Sequence, residues 1–150
     1  MNKKNLIATI YLKNGKLVNG FKDHTEQDDL IERIRLYNDN GIDKIYLFDL
    51  SDNDAEHELN LHTMKEINRV AEIPVYAGGN INRLEDIKKI LYAGCKKAIL
   101  NPVKDVTAQV SKEGALRFGK DKLALSIHNV DLFFKQKEDV ENNTSELIVL

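Results

Sequence analysis

Apolar positions along the chain gather into short runs rich in β-branched residues, at Leu6 to Tyr11, Lys44 to Asp49, Ile73 to Ala77, Lys97 to Asn101, Lys122 to His128 and Glu146 to Leu150. Within them nearly every position is apolar, as in Ile45-Tyr46-Leu47-Phe48 and Leu123-Ala124-Leu125. A strand with one face in water alternates; unbroken runs predict parallel strands covered on both faces. Between the runs the apolar spacing changes to three and four. Leu30, Ile34 and Tyr37 predict one helix, with Thr25 as its N-cap and Gly41 beyond its end. Leu61, Met64, Ile67 and Ala71 predict a second, stopped at Ile73-Pro74 because proline pushes its predecessor into extended backbone. Leu84, Ile87 and Leu91 predict a third, opened by a capping-box-like pair, Asn82 and Glu85, and closed by Gly94. The fourth, Ala108 to Phe118, carries Gly114 inside it, at a cost of about 1 kcal/mol relative to alanine.

The order of these elements suggests a repeated unit. After the first strand, strands recur about every 25 residues, the size of one strand-plus-helix unit. Gly41-Ile42-Asp43-Lys44, Gly94-Cys95-Lys96-Lys97 and Gly119-Lys120-Asp121-Lys122 each set a helix-ending glycine three residues before a strand-opening lysine. The first strand departs from this pattern: Asn14-Gly15, between Tyr11-Leu12 and Leu17-Val18, predicts a tight hairpin turn. Two α/β architectures fit, a doubly wound sheet of five or six strands and a (β/α)8 barrel. A complete barrel takes about 250 residues, so length alone favours the first.

Composition narrows the function classes. With 150 residues, 42% hydrophobic and 31% charged, the chain has the make-up of about one ordinary folded domain. Lys and Arg number 22 against 24 Asp and Glu, which speaks against a generally basic nucleic-acid binder and against attraction to an anionic membrane. A single cysteine, Cys95, allows no internal disulfide. The stretch from Leu6 to Leu12 is too short to span a bilayer and, broken by Thr9, too weak for a signal segment, so a cytoplasmic setting is expected. The run Glu146-Leu147-Ile148-Val149-Leu150 is apolar where most termini are polar, and the expectation is a domain truncated at its C-terminal end.

In either architecture ligands meet the C-terminal ends of the strands. There the chain carries Tyr11, Asp49-Leu50-Ser51, Ala77-Gly78-Gly79-Asn80, Asn101-Pro102 and His128-Asn129. The glycine pair lets backbone N–H groups approach an anion, with the positive end of the next helix behind it; tight strand packing explains a bare Gly-Gly equally well. The wider spacing adds context. Ala77-Gly78-Gly79-Asn80-Ile81-Asn82-Arg83-Leu84-Glu85-Asp86, followed by Ala93-Gly94-Cys95-Lys96-Lys97-Ala98-Ile99-Leu100-Asn101, resembles the "AGGGIRSLED…AGADKVSIN" pattern of the histidine-biosynthesis barrels, the cyclase subunit of imidazole glycerol phosphate synthase and the ProFAR isomerase. Leu12 to Gly20 looks like that family's "DVKDGRVVKG" and Gly41 to Ser51 like its "GADELVFYDIT", so the likeness extends over about Leu6 to His128. It reverses the preference set by length: the fold it implies is a parallel α/β barrel of TIM type, incomplete, with residues 1–150 forming one partial domain of five or six βα units.

The resemblance also implies site residues. Gly78, Gly79, Asn80 and Asn101 fall on the family's phosphate site at the third and fourth barrel strands, although Asn80 replaces a third glycine and Pro102 offers neither hydroxyl nor N–H. Asp49 matches the family's second-strand aspartate, and orienting the neighbouring loops is an equally good role for it. The family's two catalytic aspartates, at the ends of the first and fifth strands, are Tyr11 and His128 here, and a lysine expected near the hairpin is Asn19. A phenol with a pKa near 10 does not replace a carboxylate base at neutral pH, whereas a histidine can carry protons.

Other candidates are read as structural. His57 and His62 are five apart, which turns the second ring about 140° from the first, where a zinc-binding helix needs a spacing of four. Asp49, Asp52, Asp54 and Glu56 fail the pattern of a calcium loop and suit a helix start. Cys95 reads as a packed side chain, and Asn142-Asn143-Thr144 as a glycosylation pattern without meaning in a cytoplasm. No cofactor and no metal is expected. The leading expectation is a histidine-biosynthesis-type barrel domain with a partial phosphate or phosphoribosyl site and lost catalytic aspartates. It would serve as a binding or assembly part of a larger enzyme, since similar barrel-like segments occur fused ahead of phosphoribosyl-AMP cyclohydrolase and phosphoribosyl-ATP pyrophosphohydrolase domains. The alternative is an active isomerase or cyclase on a phosphorylated ribonucleotide, using His128 and Asp49 as proton carriers. A homo-oligomer that covers open sheet edges is expected in a third reading.

Overall fold

The computed structural model describes residues 5–102, 106–128, 131 and 142–150. Six parallel strands run side by side in chain order: β1 (Ile7–Lys13), β4 (Lys44–Asp49), β5 (Val75–Gly78), β6 (Lys97–Leu100), β7 (Leu123–Ile127) and β8 (Glu146–Val149). Two short antiparallel strands, β2 (Lys16–Val18) and β3 (Glu26–Gln27), extend the sheet beyond β1. The helices are α1 (Leu30–Asp39), α2 (Asp54–Val70), α3 (Leu84–Tyr92) and α4 (Thr107–Phe118).

Where the helices lie decides between the two architectures. Ile34 of α1, Leu61, Met64 and Ile67 of α2, Ile87 and Ile90 of α3 and Val110 of α4 share one core with Ile10, Leu12, Ile45, Leu47, Ala98, Leu100, Leu123 and Leu125. Alternate strand residues, Tyr46, Phe48, Tyr76, Ile99, Ala124 and Ile148, form a separate cluster on the opposite face. A doubly wound sheet carries helices on both faces, whereas a barrel carries them on one and turns the other inward. The described elements are those of an incomplete TIM-type barrel, and the unbroken apolar strands follow because each face has its own core.

Local departures from the sequence reading have physical causes. Thr25 does not cap α1; its hydroxyl donates to Asp23 at 2.6 Å, β3 intervenes, and the helix opens after Asp29. At α3 the capping carboxylate is Asp86 rather than Glu85, accepting from the backbone N–H groups of Asn82 at 2.9 Å and Arg83 at 3.0 Å. The hairpin forms as expected, with Asn14 (φ 52°) and Gly15 (φ 74°) both left-handed, the geometry of a primed turn. Cys95 is buried, and burial pushes its thiol up to about 11. Among the described residues no helix is long and apolar enough to cross a membrane.

The inner face is not wholly apolar. Glu146 at the start of β8 accepts from Lys97 Nζ at 2.7 Å and from the Tyr76 hydroxyl at 2.8 Å, with Lys44 Nζ at 3.5 Å. Lys97 is 10% exposed along its side chain, so its ammonium depends on these partners. Glu146→Ala is expected to cost about 2 kcal/mol, the scale of hydrogen bonds to charged groups, measured by urea unfolding. A loss below about 0.5 kcal/mol would mean that β8 does not dock through this contact.

Candidate functional site

Strand-end residues from four neighbouring strands meet in a mouth above the inner face. A cavity of about 80 Å³ there is bordered by Phe48, Asp49, Gly79, Asn101, Ser126 and His128, with Phe21, Leu50, Ile99 and Leu150 completing it. Four sequence-predicted residues, Asp49, Gly79, Asn101 and His128, therefore come together. Tyr11 stands at the rim, its ring 4.7 Å from Phe21 edge-on and 6.0 Å from Phe48, and Phe21 closes the triangle at 5.3 Å from Phe48. The wall is chiefly aromatic and aliphatic, with Asn101, Ser126 and His128 as its polar side chains.

Asp49 borders this mouth, but its carboxylate is engaged elsewhere. In β4 it continues the alternation of Ile45 and Leu47 and so falls on the helix side of the sheet. One oxygen accepts from the Ser51 backbone N–H at 2.9 Å and from Asn60 Nδ2 at 2.5 Å, and the other accepts a hydrogen bond from His57 Nδ1 in a very short contact. Asn60 is fully buried and also holds the Leu12 carbonyl at 3.2 Å, so α2 is pinned to the ends of β1 and β4. Burial raises the Asp49 pKa, but the His57, Asn60 and Ser51 contacts outweigh it and leave the group below the ordinary 3.8. These contacts tie the end of β4 to Ser51 and to α2.

His57 is the residue that sequence reasoning passed over. In the sequence His57 invites comparison with His62, five residues on, whereas its partner is Asp49, eight residues back across the turn from β4 into α2. The hydrogen bond to Asp49 raises the His57 pKa above the ordinary 6.5; Asp86 adds to this, while burial and Lys89 oppose it. A raised histidine pKa contributes stability that is complete below 6.5 and is lost as pH rises through the folded-state value. His57→Gln is therefore expected to cost more in mildly acidic than in alkaline buffer, as read from urea unfolding curves on either side of that window. An equal cost at both pH values would contradict the charged pair.

The glycines have packing reasons to be glycine. A Cβ on Gly78 would lie 2.7 Å from the Ile99 carbonyl oxygen, and one on Gly79 (φ 94°) would lie 2.3 Å from the Asp49 carbonyl oxygen. Asn80 occupies left-handed backbone at φ 57°, and its Nδ2 donates to the Ser51 carbonyl at 2.7 Å and the Ser51 hydroxyl at 2.8 Å. It ties two loops together and faces a different cavity from Asn101. The Asn101 carbonyl accepts from Thr107 Oγ1 at 2.5 Å, joining the end of β6 to the start of α4. Asn129, beside His128, lies outside the described residues. Two acids of the group after β4 have partners: Asp52 pairs with Lys13 at 2.7 Å, and Glu56 accepts from the Asp52 N–H at 2.8 Å.

Comparison with known proteins agrees with the barrel fold. The model of the family described as histidine biosynthesis protein matches residues 5–148. The imidazole glycerol phosphate synthase subunit HisF of Clostridium botulinum (strain Alaska E43 / Type E3) is 34% identical over 132 residues, covering 85% of this chain and 51% of the relative. Its counterpart from Helicobacter hepaticus (strain ATCC 51449 / 3B1) is 32% identical over 126 residues, 83% of this chain and 50% of the relative. That from Halalkalibacterium halodurans is 30% identical over 129 residues, 85% of this chain and 51% of the relative. The chain spans about half the length of the curated relatives it matches.

Proposed function

We propose that this chain, which belongs to the histidine biosynthesis protein family, keeps a partial phosphate or phosphoribosyl site at its barrel mouth and has lost the family's acid and base pair. One observation carries the reading. Tyr11 and His128 stand at the ends of β1 and β7, where the family's acid and base are expected, and the aspartate that does border the mouth, Asp49, has both carboxylate oxygens committed to Ser51, Asn60 and His57 on the helix side. Phosphate contacts would come from Asn101 and the backbone at Gly79, both at the mouth. Gly78 and Asn80 would contribute by shaping the loop, because one packs on Ile99 and the other on Ser51.

In this reading the chain is a partial barrel domain acting as a binding or assembly part of a larger cytoplasmic histidine-biosynthesis enzyme. Leu147 is 37% and Val149 66% exposed on β8, and Ile7 is 41% exposed at the start of β1, so both ends of the parallel array offer apolar surface to a fused domain or a second copy. The relatives are themselves named as a subunit, which agrees with a role in assembly. A second reading, an active isomerase or cyclase, is favoured by His128, which is exposed at the end of β7 in the same mouth as Asn101.

Titration with ribose 5-phosphate tests the site. Binding raises thermal stability by mass action, about 2.7 kcal/mol at roughly 100 times Kd. An upward shift that Asn101→Asp abolishes is the expected result. No shift at millimolar ligand would remove the phosphate site from the proposal.

A further inference from the structure

The outer face of α2 carries its charges in a self-complementary order. Asp54, Glu58, His62, Lys65 and Arg69 recur at helical spacing, fall within an arc of about 80° and are all exposed. We infer that this face is an interface with a second copy of the chain, in which the two α2 helices pack antiparallel about a two-fold axis between residues 61 and 62. The inference rests neither on the mouth site nor on the ends of the sheet.

The carrying observation is charge complementarity. An antiparallel copy sets Asp54 opposite Arg69 and Glu58 opposite Lys65, because the members of each pair lie equally far from the axis, and the axis repeats both pairs. Among the described residues Asp54, Lys65 and Arg69 have no ion pair of their own. Glu58 gives one oxygen to Lys89 at 2.8 Å and keeps 61% of its side chain exposed. The helix macrodipole favours acids in the first turn and bases in the last, and its effect falls off beyond them. It explains Asp54 and Arg69, whereas Glu58 and Lys65 lie more than a turn from either end of the helix.

The middle of the same face offers surface to bury. A groove of about 580 Å³ between α2 and α3 is bordered by Leu61, His62 and Lys65 on one side and by Tyr92 on the other. Tyr92 is 76% exposed beside the centre of the stripe, and the two-fold axis brings both copies of its ring toward the middle of the contact. An aromatic centre with a charged rim is the usual make-up of a protein interface. Glu66, at the margin of the stripe, lies 3.4 Å from His62 of its own helix. One helix face makes a small interface, so association in the micromolar range is expected.

The test is sedimentation equilibrium of the whole chain at micromolar concentration. A dimer that weakens with added salt is expected, since exposed charges are screened. Lys65→Glu and Glu58→Lys, both at exposed side chains, are each expected to weaken self-association about tenfold or more, because the axis applies every like-charge contact twice. An equimolar mixture of the two variants is expected to dimerise again, since the chain with two acids then faces the chain with two bases. A loss of folding would give no such recovery. The inference is overturned if the unaltered chain is monomeric, if either variant dimerises as well as the unaltered chain, or if the mixture stays monomeric. The second of these results would place the contact elsewhere, as at the exposed ends of the sheet.

Discussion

Asp49→Ala is expected to destabilise the protein by about 3 to 5 kcal/mol, the cost of removing one partner from a buried, hydrogen-bonded charge pair. In a domain of this size that corresponds to a melting temperature lower by roughly 10 °C or more. The loss arises at three contacts together: His57 Nδ1 and Asn60 Nδ2 are left facing a void beneath α2, and the Ser51 N–H loses its acceptor. Because the Asp49 pKa lies below the ordinary 3.8, its stabilisation is present above that pH and is lost as pH falls through the folded-state value. Urea unfolding of the variant near neutral pH measures the effect. A cost under about 1 kcal/mol would show that the carboxylate is not the anchor of the β4–α2 junction and would return it to the list of proton carriers.

The second large effect is expected at Gly79. An alanine there must place its Cβ 2.3 Å from the Asp49 carbonyl oxygen, a backbone atom that cannot move without shifting β4, and must adopt φ near 94°. Strain of both kinds is worth about 2 to 5 kcal/mol together. Gly20→Ala is the control, since a Cβ at that position has no atom within 4 Å and the backbone does not require glycine. If the two variants unfolded alike, Gly79 would be a glycine kept for ligand access alone. If Gly79→Ala unfolds far more easily, as expected, the Gly-Gly pair is first a packing feature, and the proposed phosphate site would have to draw its contacts from Asn101 and the rest of the mouth.

This pair of results bears on how far a sequence can be read. The unbroken apolar runs marked every parallel strand to within a few residues, because burial on two faces leaves a pattern in the chain itself. The three helix-ending glycines, Gly41, Gly94 and Gly119, all have positive φ as the repeat implied. The third-strand motif and the spacing to Asn101 pointed to the correct family. What the pattern could not show was the direction of a side chain at a strand end. Asp49 and Phe48 are neighbours, yet one faces the helices and the other the inner face, and that single alternation moves the aspartate's carboxylate away from the mouth chemistry. Helix starts were the least legible. Thr25, Asp29, Glu85 and Asp86 are all competent capping residues, and tertiary placement chose between them. His57 escaped notice because its partner lies on another element, and contacts across a turn leave no periodicity to count.

The most direct test of the central claim, a barrel segment that binds without turning over, is complementation of histidine auxotrophs lacking either the cyclase subunit or the ProFAR isomerase. The chain, expressed in folded form, is expected to restore growth in neither strain, and His128→Ala is expected to make no difference. Growth that disappears with His128→Ala would contradict the claim and assign the chain an active proton-transfer site at the end of β7.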